Sequence, residues 1–439
     1  MAQNLLSEDG VIFISIDDNE LENLRKICNE LFGEQNFIAS VIWERAYAPV
    51  NLKKHFSECH DYIVCYAKNI ESAICNGLRR SDEANERYNN PDNDPRGLWK
   101  SSDMSVGPVI QDKVYEVTTP SGRKVLPPEG RCWVISKDKY RELLSDNRIW
   151  FGTTGNNVPS IKKFLKEVKN TMTPMTIWKY NEVGHSQDAK QKFMKLFDGK
   201  SYFDYPKSVD LIKRVIELYS SERDIILDFF SGSATTAHAT VQLNAEEGGN
   251  RKFIMVQLPE PSDEKSEAYK AGYQNICEIG KERIRRAGEK IKEENKDKEN
   301  IESLDIGFRV LKVDDTNMKD VYYSADEYNQ DMLDALESNI KEDRTDLDLL
   351  YGVLLDWGLP LSLKHAIEEV YGATIHTVDE GSLVACFDGR ITEEVVREIA
   401  KRQPLRVVFR DSSFADSPDK INVEEIFKLL APNTTVKVI

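Results

Sequence analysis

The run Gly10 to Ile16 (GVIFISI) is continuously apolar and rich in β-branched residues, the pattern of a strand covered on both faces, as in a parallel sheet. Leu21, Leu24, Ile27, Cys28, Leu31 and Phe32 then recur at helical spacing until Gly33, with Asp17 and Glu20 three apart as a capping pair. A second strand is expected over DYIVCYAK, Asp61 to Lys68, after a polar connection containing Tyr47, Pro49 and His55. Further along, Val209, Ile212, Val215, Ile216 and Tyr219 share one helical face behind Pro206. DIILDFF and, after another helix, KFIMVQL read as two more strands that rejoin the N-terminal sheet.

This α/β pattern is interrupted from about Cys75 to Met172. Clusters such as NNPDNDPRG, TTPSGRK and FGTTGNN separate short segments there and predict a loop-rich inserted domain. Lys281 to Glu302 is dense in charge and predicts an exposed helix fraying into a linker. From about Asp305 to Ile439 a further mixed pattern follows, including HAIEEVYG, SLVACFDG and LRVVFRDSSF, with no internal repeat. A length of 439 residues fits two or three domains.

No apolar run approaches the roughly 20 residues of a membrane helix, and no basic segment precedes the first apolar stretch as in a signal peptide. A cytoplasmic protein with no membrane association is expected. The seven scattered cysteines fit reduced thiols. Cys59, His60 and Cys65 lack the spacing of a metal site, so burial in a strand is the expectation for them. Net charge is −16, yet Arg96 to Asn170 holds 14 Lys and Arg against 8 Asp and Glu, a local +6 that leaves −22 elsewhere. That asymmetry points to a localised anionic partner, with a solvated Lys-rich helix around Lys162, Lys163, Lys166 and Lys169 as the plainer reading. Trp99, Trp133, Trp150 and Trp178 are expected in cores.

The stretch LDFFSGSATTAHA, Leu227 to Ala239, joins a strand to a helix through a loop, where open α/β sheets bind ligands. A nucleoside triphosphate calls for GxxxxGK[ST], and no lysine lies between Asp224 and Gly249; a dinucleotide calls for GxGxxG, and only Gly232 is present. A nucleoside without phosphates remains. Asp228 can accept from an amino group, Gly232 allows close approach, Ser233, Thr235 and Thr236 offer hydroxyls, and Gln257 after the next strand can meet ribose hydroxyls. S-adenosylmethionine matches that description; a turn that binds nothing stays open beside it.

GVIFISIDDNE, HDYIVCYAKN, NNPDNDPRGLWKSSD, EGRCWVISK, RIWFGTTGNNVPSIKKFL, TIWKYNEVGHSQDAK and FRDSSFADSPDKINVEEIF resemble segments of the methylation (Mod) subunits of type III restriction-modification systems, β-group adenine-specific DNA methyltransferases. The resemblance implies a Rossmann-like S-adenosylmethionine-dependent methyltransferase sheet, an inserted target recognition domain and a C-terminal α+β domain. It places the catalytic half at 1–74, target recognition at 75–172, the cofactor half at 173–280, a charged linker at 281–304 and an interaction domain at 305–439. It assigns Phe203, Lys207, Asp228, Phe230, Gly232 and Thr235 to the cofactor. Two positions depart from the wider class: Ala234 stands where glycine is usual, and Gln257 where an acidic residue is usual. The family's catalytic Asp-Pro-Pro-Tyr is absent, the only Pro-Pro being Pro127–Pro128 between Leu126 and Glu129. No catalytic residue is therefore assigned, and the start of the family pattern is expected to lie upstream of Met1. Two functions follow: site-specific adenine-N6 methylation, or a catalytically silent module for recognition and partner binding. In the middle segment Arg131, Arg148, Lys162 and Lys163 are candidates for phosphate contacts, and Asn156 and Asn157 for adenine edges. Implied partners are double-stranded DNA, a second copy of the chain and a helicase-nuclease restriction subunit.

Overall fold

The computed structural model describes residues 2–49, 53–80, 82–299, 301–319, 340–414 and 417–439. It divides into two units, Met1–Phe308 and Arg309–Ile439.

In the first unit, His60–Ala67 is the centre of a four-stranded sheet, pairing antiparallel with Val11–Ile16 on one side and Phe37–Glu44 on the other; Ile177–Trp178 then adds parallel to Phe37–Glu44. The parallel neighbour expected for GVIFISI is thus an antiparallel one. Its side chains are largely half-buried, with Ile12, Ile14 and Ile16 packed beneath Leu21, Leu24, Cys28 and Phe32. The helix Leu21–Phe32 ends at Gly33, whose positive φ of 87° suits a residue without Cβ, but Glu20 makes no side-chain cap. Asp17 instead accepts from the Asn19 N–H at 3.0 Å.

The helix Val209–Tyr219 carries apolar residues on more than one side. Leu211, Val215, Leu218 and Tyr219 pack on Val41, Trp43, Ile63 and Cys65 of the four-stranded sheet. Val209, Ile212 and Ile216 pack on Ala239, Leu243 and Ile226. This bridging helix links the first sheet to a separate parallel pair, Ile225–Asp228 with Lys252–Met255. The expectation that these strands rejoin the N-terminal sheet is corrected: a helix, not backbone pairing, connects the two.

Ile276–Glu294 also differs from its expectation. Its charge density suggested exposure, yet Ile279, Gly280, Arg283, Ile284, Ala287, Gly288 and Ile291 form a buried stripe, because they recur three and four residues apart. Trp99–Asp103, Ile149–Trp150 and Ser160–Phe164 form a small antiparallel sheet, over a core that includes Met104, Tyr115, Trp133 and Phe151. Lys162 and Lys163 therefore lie on a strand rather than on a Lys-rich helix. Trp99, Trp133 and Trp178 are buried and Trp150 half-buried. Cys65 is buried, whereas Cys59 precedes its strand and is exposed.

The second unit holds a five-stranded sheet. His365–Val370, Ala373–Val378 and Leu383–Cys386 run antiparallel, followed by Arg406–Phe409 and Thr435–Val438 in parallel. Strand alternation sends Val384 and Cys386 against the helices Glu393–Lys401 and Ser417–Leu430, and Leu383 and Ala385 against Asp346–Asp356. Among the described residues no helix is long and apolar enough to cross a membrane, and no cluster of His, Cys, Asp and Glu could hold a metal.

Candidate cofactor loop and basic cavity

The strand Ile225–Asp228 ends in a carboxylate that organises the turn after it. Asp228 accepts from the Phe230 N–H at 3.2 Å and from the Thr236 hydroxyl at 2.6 Å. Gly232 has φ +51°, and its N–H donates to the Gln257 amide oxygen at 2.7 Å. A neutral amide thus performs the accepting role at the end of the second strand. A Cβ on Gly232 would meet the Phe203 ring at 3.6 Å, ordinary contact distance, so Phe203 packs on the loop backbone. Phe230, in the loop, is 85% exposed. Ala234 adopts a left-handed conformation, φ 59° and ψ 41°, which explains why glycine would be easier there.

Ser233 and Thr235 face the other way. Both are buried, and both accept from the Arg283 guanidinium, at 2.8 and 2.7 Å. Their hydroxyls support the loop from within. Gly280, one turn before Arg283, lies against Gly232 and Ala234. Burial lowers the Arg283 pKa to about 9, leaving it charged at neutral pH. The loop thus rests on an internal cation that the charged appearance of Lys281 to Glu302 concealed. The helical spacing from Ile279 to Ile291 was the available signal for it.

Lys207 reaches Asp61 of the central strand at 3.3 Å and lies over the Trp43 ring at 5.0 Å. Its ammonium ties the FDYPK segment to the first sheet rather than to the loop. Asp228, Phe230, Gly232, Gln257 and Phe203 are therefore the expected cofactor residues that come together. Beside Phe203, Glu260 and Ile276 help line a cavity of about 220 Å³; Glu260 had no sequence signal.

In the middle segment, Lys162 departs from its expectation. Its side chain is 0% exposed, and its ammonium sits between Asp92 and Asp94. The Arg96 guanidinium holds the Asp94 carboxyl well below the usual carboxylate range. Arg148 is likewise engaged, with Glu167 at 2.6 Å and Asp146 at 2.5 Å. Neither cation is available to a phosphate while those pairs hold. Arg131 donates to the Ser105 carbonyl at 2.7 Å, and Asn156 accepts from the Ser121 hydroxyl at 2.9 Å. Asn157 is exposed, with its backbone N–H on the Phe151 carbonyl at 2.8 Å. Lys163 alone of the six lines the open cavity of about 790 Å³ on this sheet, together with Arg80, Arg87 and Lys100. These last three carried no local sequence pattern.

A family profile described as DNA methylase (N6/N4 methyltransferase) matches residues 1–261, which is more than half of the chain. The chain belongs to the DNA methylase family. The chain is 33% identical over 312 residues to the type III restriction-modification enzyme StyLTI Mod subunit of Salmonella typhimurium, covering 70% of this chain and 46% of that subunit. It is 30% identical over 334 residues to the EcoP15I Mod subunit of Escherichia coli, covering 67% of this chain and 50% of that subunit. The chain spans about half the length of these relatives. Among solved structures, M1.HpyAVI resembles it at 12% identity with a TM-score of 0.27, over 64% of this chain and 75% of that one.

Proposed function

We propose that this methylase is the modification subunit of a type III restriction-modification system, transferring a methyl group from S-adenosylmethionine to adenine N6 at a specific site in double-stranded DNA. The observation that carries this reading is the loop itself, an aspartate-anchored turn whose Gly232 lies against Phe203, within a chain similar to two Mod subunits.

The cofactor cleft proposed here runs along this loop, and its chemistry suits the ligand. Asp228 would hold an ammonium or amide of the ligand, Gln257 a ribose hydroxyl, and Phe203 and Phe230 its apolar faces, while Gly232 admits it close to the backbone. The bound cofactor would supply the reactive methyl group. The chain's own residues bind and orient it: Thr236 and the Phe230 N–H fix the carboxylate, and Arg283 holds the loop from behind. In Mod-like enzymes an Asp-Pro-Pro-Tyr signature receives the target amine, and this sequence contains none. That supports the second reading, in which the chain by itself recognises DNA and binds the cofactor without turnover.

The proposed assignment of regions keeps target recognition at 75–172 and interaction at 305–439. The proposed partners are double-stranded DNA, a second copy of the chain and a restriction subunit, in the cytoplasm. Calorimetry with S-adenosylmethionine and a tritiated-methyl transfer assay on DNA test the reading together. Binding with transfer is the outcome the first reading expects, and binding without transfer is the outcome the second expects for this chain alone. Absence of cofactor binding would overturn the assignment of the cleft, and robust transfer would overturn the second reading.

A further inference from the structure

The cations of the middle segment are held in different ways, Lys113, Arg123 and Arg131 by backbone carbonyls of Val134, Asn156 and Ser105. Arg96, Arg148, Lys162, Lys139, Arg141 and Lys124 each meet a carboxylate. Arg87, Lys100 and Lys163 have no carboxylate partner among the described residues, and all three converge with Arg80 on the 790 Å³ cavity. None of its lining residues among those described is acidic.

Two features make this more than a solvated face. Lys163 stands directly opposite Lys100 on the antiparallel ladder between Ser160–Phe164 and Trp99–Asp103. Like charges at that position repel and lower stability, so the pair contradicts the rule that otherwise governs cross-strand partners. Tyr88, buried behind them, lies 5.4 Å from the Arg80 guanidinium and 5.2 Å from the Lys100 ammonium. Its ring thereby holds both cations at the cavity wall. Ser101 and Ser102 add hydroxyl donors.

From this arrangement we infer that the cavity is the seat for consecutive phosphates of one DNA strand, fixing the position of the duplex without reading its sequence. Arg87, Lys100 and Lys163, with Arg80 beside them, and the hydroxyl donors match phosphodiester oxygens, which only accept hydrogen bonds. The charge that destabilises the empty ladder is neutralised when phosphates occupy it. This inference rests on the proposed DNA substrate and adds where and how the backbone is held.

The test uses the full chain and a panel of unrelated duplexes, with affinity measured across a salt titration. Lys100→Ala with Lys163→Ala should weaken binding to every duplex alike and reduce the slope of log affinity against log salt by about 1.8, at roughly 0.9 per phosphate contact. Replacing both lysines by arginine should preserve the slope. Lys139→Ala, on a separate helix and paired with Glu142, should leave it unchanged. An unaltered slope in a folded double variant, or a loss confined to one sequence, overturns the inference while leaving the DNA substrate in place. If the unmodified chain binds no duplex at any salt, the substrate reading and the inference fall together.

Discussion

Asp228 fixes the turn after its strand, and the proposed cofactor role is added to that one. Asp228→Ala removes an acceptor from the cleft and also releases the Phe230 N–H and the Thr236 hydroxyl. A hydrogen bond to a charged group contributes about 1.5 to 3 kcal/mol, so S-adenosylmethionine affinity should fall roughly 10- to 150-fold by calorimetry. Asp228→Asn keeps an acceptor for the turn and should unfold closer to the parent. Arg283→Met acts from the opposite side of the loop. It leaves Ser233 and Thr235 without their buried donor, which costs about 1 to 3 kcal/mol in denaturant unfolding, and cofactor binding should weaken although Arg283 never touches the cleft. His238 adds a pH dependence. Its Nδ1 is shut off from water without a partner, and burial lowers its pKa from 6.5 to about 3. The unfolded chain therefore takes up a proton below about pH 6.5 that the folded chain refuses until about pH 3. Stability contributed by the neutral ring is present above that window and falls as the solution is acidified through it, by up to about 1.4 kcal/mol per pH unit. His238→Leu should flatten urea midpoints across that range; an unchanged acid slope would rule the imidazole out as its source.

The helix Ile276–Glu294 offers a paired comparison between two glycines on its buried stripe. A methyl group at Gly280 would meet Ala234 and the Gly232 carbonyl at 3.5 Å, ordinary contact distance. Gly280→Ala should raise stability by about 0.5 to 1 kcal/mol through helix propensity alone. At Gly288 the methyl would fall 2.9 Å from the branched Cβ of Ile306. Gly288→Ala should therefore be destabilising, by about 1 to 3 kcal/mol from overpacking; melting temperatures moving in the same direction for both would refute the geometry. These elements also show where the sequence was readable. Periodicity placed Leu21–Phe32 and Val209–Tyr219, because each buries one or two fixed faces. It did not say that Val11–Ile16 pairs antiparallel, since an apolar strand has the same appearance in either direction. Asp228, Gly232 and Gln257 could be picked out because strand ends and a glycine turn are local features. Arg283, Arg80, Arg87 and Lys100 could not, because what each does is set by residues distant in sequence, and Lys162 looked available until Asp92 and Asp94 came beside it.

At the scale of the whole chain, the two units have separate cores. The loop and the basic cavity lie in Met1–Phe308, while Arg309–Ile439 has a five-stranded sheet with its own helices on both faces. A chain ending at Phe308 should bind S-adenosylmethionine within about twofold of the full chain. If the second unit mediates association, the same truncation should sediment as a monomer and fail to retain a restriction subunit. Unchanged sedimentation and partner retention would exclude that role.

The bridging helix has a consequence of another kind. Only eleven residues, Val209–Tyr219, stand under both the four-stranded sheet and the parallel pair, so its amides can open only when both layers loosen. Native-state hydrogen exchange should find them among the slowest in Met1–Phe308, and slower than those of Leu21–Phe32, which is packed on one sheet alone. The helix would then act as the latch of its unit, whose release frees two layers in a single event.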